Sequence, residues 1–297
     1  MRPQLAALLL LPLLVTGCGS GGSDSDRGTA PPDGSLESLW KRPGEDVGLV
    51  LGTSDHAAGA VRVSFLVVRD NSEVVERPRA KVWLARKRED RPIQETVATF
   101  EPVGVDGGEE DAGVRGLFVA ELDVPSPGTY WFVAEPVGGL RIQGLGTLEV
   151  KDESASPALG AKAPASDTPT LGDAPIEALS TATDPVPELY RHSVAGSVRE
   201  GVPFVLAFAT PKFCASRTCG PTVDVVDAVR RETGVRAIHV EVYEDNDPDK
   251  GVNRWMEEWN LPTEPWVFVV DATGTIAAKF EGSVSVDELT RTVREVA

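Results

Sequence analysis

The stretch from residue 151 to residue 187 constrains this chain most. It is rich in Ala, Pro, Ser, Thr and Asp and shows no apolar periodicity, so it has little of its own to bury. It reads as a linker, extended where proline is dense, between two segments of different character. Residues 44–150 read as strands and turns. Residues 61–68 begin with alternation and become a continuous apolar run. Residues 81–85, 96–100, 117–122, 129–134 and 147–150 are further strands. Asp70-Asn71, Asp106-Gly107-Gly108, Pro125-Ser126-Pro127-Gly128 and Gly138-Gly139 supply the turns between them. Short strands at this spacing predict an all-β sandwich.

Residues 188–297 carry a different pattern. Residues 204–209 are a continuous apolar run, as a strand buried on both faces requires. Residues 222–232 predict a helix with Val225, Val226 and Val229 on one face and Gly234 as its stop. A second strand follows at 235–243, then a short helix at 253–260 with Trp255, Met256 and Trp259 facing inward. Residues 266–270 and 275–280 pair as a hairpin through Asp271-Ala272-Thr273-Gly274. Ser285 and Glu288 form a capping box that opens the last helix. The predicted order is β-α-β-α-β-β-α.

The N-terminus has the layout of an export signal. Arg2 precedes an apolar run from Leu5 to Val15, too short to span a bilayer as a mature helix. The run ends in Leu14-Val15-Thr16-Gly17-Cys18, which resembles the lipobox of bacterial lipoproteins. That resemblance implies cleavage after residue 17 and lipidation of Cys18. Residues 18–43 then read as a flexible tether, rich in Gly, Ser, Asp and Pro. The expected organisation is a signal peptide at 1–17, a tether at 18–43, a β-sandwich at 44–150, a linker at 151–187 and an α/β domain at 188–297. The expected location is the outer face of the cell membrane, held by lipid.

The chain has 29 basic and 46 acidic residues, a net charge of −17. Such a balance argues against nucleic acid and anionic lipid surfaces as partners. With Cys18 assigned to lipid, Cys214 and Cys219 remain as a pair able to form a disulfide outside the cytosol.

Two resemblances refine this reading. The run 122–130 resembles a strand–turn–strand corner of bacterial immunoglobulin-like domains, which implies an immunoglobulin-like sandwich and no activity. The element order of 188–297 resembles the thioredoxin-like superfamily. Cys214 follows the first buried strand, and Pro221 falls early in the next helix. Thr263-Glu264-Pro265-Trp266 resembles the family's turn with a cis-proline. The resemblance implies Cys214 as nucleophile, Cys219 as resolving thiol, Pro265 as a cis residue facing substrate, and Trp266 lining the substrate groove. It implies thiol–disulfide exchange with dithiols or disulfides of exported proteins, and no cofactor. The spacing departs from the family: four residues separate the cysteines instead of two. Positions five apart do not share a helix face, so the intervening loop is expected to be irregular or to unwind on oxidation.

Three readings of the pair stay open. One is thiol–disulfide exchange, with Arg217 favouring thiolate if it lies near the sulfurs. Another is a static bridge bracing a scaffold or binding lipoprotein. The third is metal or peroxide chemistry. Sco-type copper chaperones pair two cysteines with a histidine, and His239 is the histidine on a core strand here. Pro211 stands where peroxiredoxins need Thr or Ser, which counts against peroxidase. No metal ligand set is assigned.

Overall fold

Seven strands close on themselves because one of them changes partners partway along. A computed structural model describes residues 31–108 and 113–296. The proposed signal peptide and Cys18 lie outside the described residues. Strand β1 (Glu45–Leu51) runs parallel to β8 (Ile142–Lys151) over its first half, with Val47 opposite Gly144. Its second half pairs antiparallel with β3 (Gly59–Val68), from Gly48 opposite Val68 to Leu51 opposite Phe65. Between them lie β6 (Gly116–Val124), β5 (Gln94–Pro102), β4 (Arg79–Ala85) and β7 (Gly128–Pro136), in that spatial order. The two-residue β2 (His56–Ala57) adds to β8 outside the ring.

The crossover needs glycine. A Cβ on Gly144 would stand 2.6 Å from Leu49 Cδ2 and 3.0 Å from the Val47 carbonyl. Alternating inward residues then fill the ring. Phe65 lies 5.6 Å from both Phe118 and Phe132, centroid to centroid, with Val67, Leu84 and Leu148 around them. Helix α1 (Leu36–Trp40) covers Trp83 and Val133 on the outer surface.

The rest of the chain carries α2 (Ile176–Leu179), α3 (Val194–Glu200), β9 (Phe204–Phe208), α4 (Cys219–Thr233), β10 (Arg236–Val240), α5 (Arg254–Glu258), β11 (Trp266–Val270), β12 (Ile276–Glu281) and α6 (Val286–Val296). The four strands form one sheet in the order β10-β9-β11-β12. Strands β9 and β10 are parallel, and β11 is antiparallel to both its neighbours. One core contains Val225, Val226 and Val229 of α4 with Leu289 and Val293 of α6. The other contains Met256 and Trp259 with Phe204, Phe208 and Phe268.

The expected fold class is therefore corrected. The first half is a closed seven-stranded barrel and not an immunoglobulin-like sandwich, because β1 joins the two edges that a sandwich would leave open. The expected thioredoxin-like α/β domain is likewise not supported. The chain is dominated by its barrel, with helix at only about 22%, and the C-terminal sheet belongs to one compact unit, Pro32–Ala297. Among the described residues no helix is long and apolar enough to cross a membrane.

The two sheets are joined mainly by polar contacts. Glu281, at the end of β12, accepts from the Ser54 N–H (2.7 Å), the Ser54 hydroxyl (2.7 Å) and the Asp55 N–H (2.8 Å). Arg62 of β3 donates twice to Glu288 of α6, at 2.7 and 2.9 Å. Ser285, which caps α6 through the Glu288 N–H, donates its hydroxyl to Glu101 of β5 at 2.7 Å. Gly282 brings the backbones together: its Cβ would meet the Gly52 carbonyl at 2.7 Å. Residues 151–187 leave this junction and pack along the C-terminal half, with Ser156, Ala163, Ser166, Thr168, Leu179 and Ser180 buried. Asp55 anchors their start, accepting from the Ala155 and Ser156 N–H groups and from the Ser154 and Ser156 hydroxyls at 2.6–2.9 Å.

Burial pushes the Asp55 carboxyl up, but those hydrogen bonds outweigh it and hold its pKa at about 2. A lowered carboxyl contributes its full stability above the unfolded-chain value and loses it as pH falls through the folded value. Asp55→Asn is expected to cost about 1–3 kcal/mol at pH 5 and progressively less toward pH 2. Urea denaturation of both proteins across that range checks this; a pH-independent difference would contradict it.

Candidate functional site

Cys214 and Cys219 are joined by a disulfide, with their Cα atoms 5.9 Å apart. The five-residue spacing is accommodated by an irregular loop. The Arg217 N–H bonds back to the Cys214 carbonyl at 3.2 Å, and Arg217 takes φ +58, closing a tight turn before α4 begins at Cys219. Pro221 sits in the first turn of α4, where a missing N–H costs nothing.

The two sulfurs have different surroundings. Cys219 is fully buried in the core with Ala209, Val223 and Val267. Cys214 is half-buried on the loop, beside exposed Ala215, Ser216 and Arg217. The Cys219 N–H, first of the helix, donates to Cys214 Sγ at 3.3 Å. Ser216 Oγ lies 3.2 Å from the same sulfur and 2.7 Å from Thr218 Oγ1. These groups and the N-terminal end of the helix dipole all favour negative charge on Cys214.

A chain of hydrogen bonds running out from Glu241 holds the loop. Thr181 donates to Glu241 Oε1 through its N–H (2.6 Å) and its hydroxyl (2.8 Å). The Lys212 N–H then donates to Thr181 Oγ1 at 3.2 Å. His239, on β10, lies two residues before Glu241. Its Nδ1 meets the Tyr190 hydroxyl at 2.6 Å and its Nε2 the Ala209 carbonyl oxygen at 3.0 Å. Burial pushes its pKa down, so the ring stays neutral. With both nitrogens engaged, His239 braces the end of β9. Among the described residues no group of three or more His, Cys, Asp or Glu is placed to hold a metal ion.

The Glu264–Pro265 peptide is cis. It opens β11 where Trp266 pairs with Phe208, at the sheet end from which the cysteine loop emerges. Phe213 meets Tyr243 edge-on at 6.3 Å, and Glu264 lies close enough to raise the pKa of Tyr243 further, after burial has raised it. Glu264 is itself pushed up by burial. Trp266 is 1% exposed; its indole N–H bonds to Thr263 Oγ1 at 3.1 Å and its ring stacks on Phe268. Its side chain is thus part of the core.

The barrel also reaches this site. A Cβ on Gly104, in the loop after β5, would come within 3.1 Å of Pro221 Cβ, and one on Gly108 within 2.5 Å of Asp224 Oδ2. Val105 packs on the core that contains both cysteines. Sequence reasoning missed Gly104, Val105, Thr181 and Glu241, because their roles depend on contacts between distant segments. His56 is buried in β2 with Nε2 3.0 Å from Thr53 Oγ1. A separate cleft of about 1030 Å³ opens between the barrel and β12, where Lys279 donates to the Ser154 and Ser156 hydroxyls at 2.6 and 2.8 Å.

No protein-family model and no curated protein matches this sequence.

Removing the Thr181 hydroxyl takes away one donor to buried Glu241 and the acceptor of the Lys212 N–H. Thr181→Val is expected to cost about 1–3 kcal/mol in urea denaturation and to speed reduction of the disulfide by dithiothreitol. An unchanged reduction rate would mean that the loop is held by other contacts.

Proposed function

We infer that Cys214 and Cys219 carry out thiol–disulfide exchange with exported proteins. The observation that carries this reading is the asymmetry of the sulfurs. Cys214 is reachable and stands at a helix start with N–H and hydroxyl neighbours, while Cys219 is buried behind it. That arrangement suits Cys214 as the nucleophile and Cys219 as the resolving thiol. A partner disulfide is attacked by the Cys214 thiolate, one partner sulfur leaves as thiolate, and a mixed disulfide forms. Cys219 then loses its proton and attacks Cys214, which releases the second partner sulfur and re-forms the bridge. The cis bond at Pro265 opens β11 at the end of the sheet from which the cysteine loop leaves. A static bridge is the second reading, favoured by the complete burial of Cys219 in the core.

Cys214→Ser is expected to abolish exchange, and Cys219→Ser to accumulate mixed disulfides. Both are followed by acid quenching, alkylation and mass analysis of the full chain carrying Cys18→Ser. The same assay in graded redox buffers separates the two readings. A reversible midpoint between about −120 and −270 mV supports exchange, while a bond that resists reduction throughout supports the brace.

The exchange reading goes with an extracytoplasmic position, with the chain anchored by lipid at Cys18. The support is the sequence Leu14-Val15-Thr16-Gly17-Cys18 after a short apolar run. Radiolabelled palmitate is expected to enter the wild-type protein in bacterial cells and not the Cys18→Ala variant. Equal labelling of both would remove the anchor from this site.

A further inference from the structure

The surface around Cys214 has a charge unlike that of the chain as a whole. The protein is strongly acidic, at −17. Its basic side chains are widely paired, as in Arg230–Asp227 and Arg236–Glu200. Two that enter no ion pair among the described residues flank Cys214 in the sequence, two residues before it and three after. Lys212 is exposed, with its Nζ 5.3 Å from the Phe213 ring centroid. Arg217 is exposed at the tip of the turn. Three carboxylates near the loop are engaged or partly buried. Glu241 is buried and engaged by Thr181, Glu264 is half-buried beside Tyr243, and Asp224 stands against Gly108.

We propose that this rim docks a partner segment carrying Asp or Glu beside its own cysteine. The proposal rests on the exchange reading above and names its substrate class. Lys212 and Arg217 supply the charge, and the Phe213 ring beside Lys212 supplies apolar surface. The overall negative charge does not overrule this. At physiological ionic strength interactions decay over about 8 Å, so charges within contact distance of the docked segment outweigh the remote ones. The local cations therefore decide which partner is held long enough to react.

The test uses the full chain carrying Cys18→Ser, reduced and freed of reductant, in 0.15 M salt. Three synthetic octapeptides are compared, each with one cysteine activated as a mixed disulfide with thionitrobenzoate. The cysteine is flanked by Asp and Glu, by Lys and Arg, or by Ser and Gly. The Cys214 thiolate displaces thionitrobenzoate, whose colour gives the rate. Cys219 then expels the peptide thiol. The acidic peptide is expected to react about three- to tenfold faster than the basic one. The double substitution Lys212→Glu, Arg217→Glu is expected to reverse that order. The ratio of the two rates removes any change in the intrinsic reactivity of Cys214. Reaction of the neutral peptide with equal rates for the charged pair, or a faster basic peptide, would overturn the proposal alone. Failure of all three to react would remove the exchange reading and the proposal with it.

Discussion

Two buried carboxylates hold the barrel against the C-terminal sheet, and the rest of the arrangement follows from them. Glu281 takes donors from Ser54, Asp55 and, at 3.0 Å, Thr263; Asp55 takes them from residues 154–156. Burying a charge is costly unless donors surround it, and here each carboxylate receives four. What such bonds contribute above all is direction. An apolar junction of the same area would tolerate sliding; these pairs admit one register between β12 and the barrel edge. Through Thr263 the same network reaches the turn at Pro265, and through Arg62 and Glu288 it fixes the start of α6.

The disulfide is placed by the same logic on a smaller scale. Glu241 fixes Thr181, Thr181 fixes Lys212, and Lys212 stands two residues before Cys214. The loop is therefore tied by backbone at its entrance and by helix α4 at its exit. The Lys212 side chain and the turn between the cysteines project into solvent. A pair held in this way presents one sulfur and hides the other, which is a geometric property before it is a chemical one.

Much of the local structure was legible in the sequence. The strands at 61–68, 81–85 and 129–134 lie within longer observed strands, and Ser285 caps the last helix as its spacing with Glu288 suggests. What was not legible was the way these pieces close. Strand β1 begins with Glu45-Asp46 and contains Gly48, so it carries neither strict alternation nor a β-branched run. Without it, six strands leave two open edges and imply a sandwich. With it they form a barrel, which rules out the immunoglobulin-like sandwich, and the barrel-dominated chain with little helix does not support the thioredoxin-like reading. The segment 151–187 misled for a similar reason. Its small polar residues look unburied because their partners lie far along the chain, such as Trp259 on Ser166 and Glu241 on Thr181. The helix at α4 was expected to start at 222; it starts at Cys219, since the irregular loop lets the second cysteine become the first helical residue.

The contact between Gly104 and Pro221 gives the barrel a share in the architecture of the disulfide. Two parts of the chain that are more than a hundred residues apart meet there so closely that a methyl on Gly104 would stand 3.1 Å from Pro221 Cβ. The barrel thus acts as a template against which the cysteine loop is cast. Residues 188–297 grafted onto a foreign scaffold would keep every side chain of the pair and lose that wall. The unit that evolution can shuffle or an engineer can transplant is accordingly the whole body from Pro32 onward, because its reactive end is shaped by both halves.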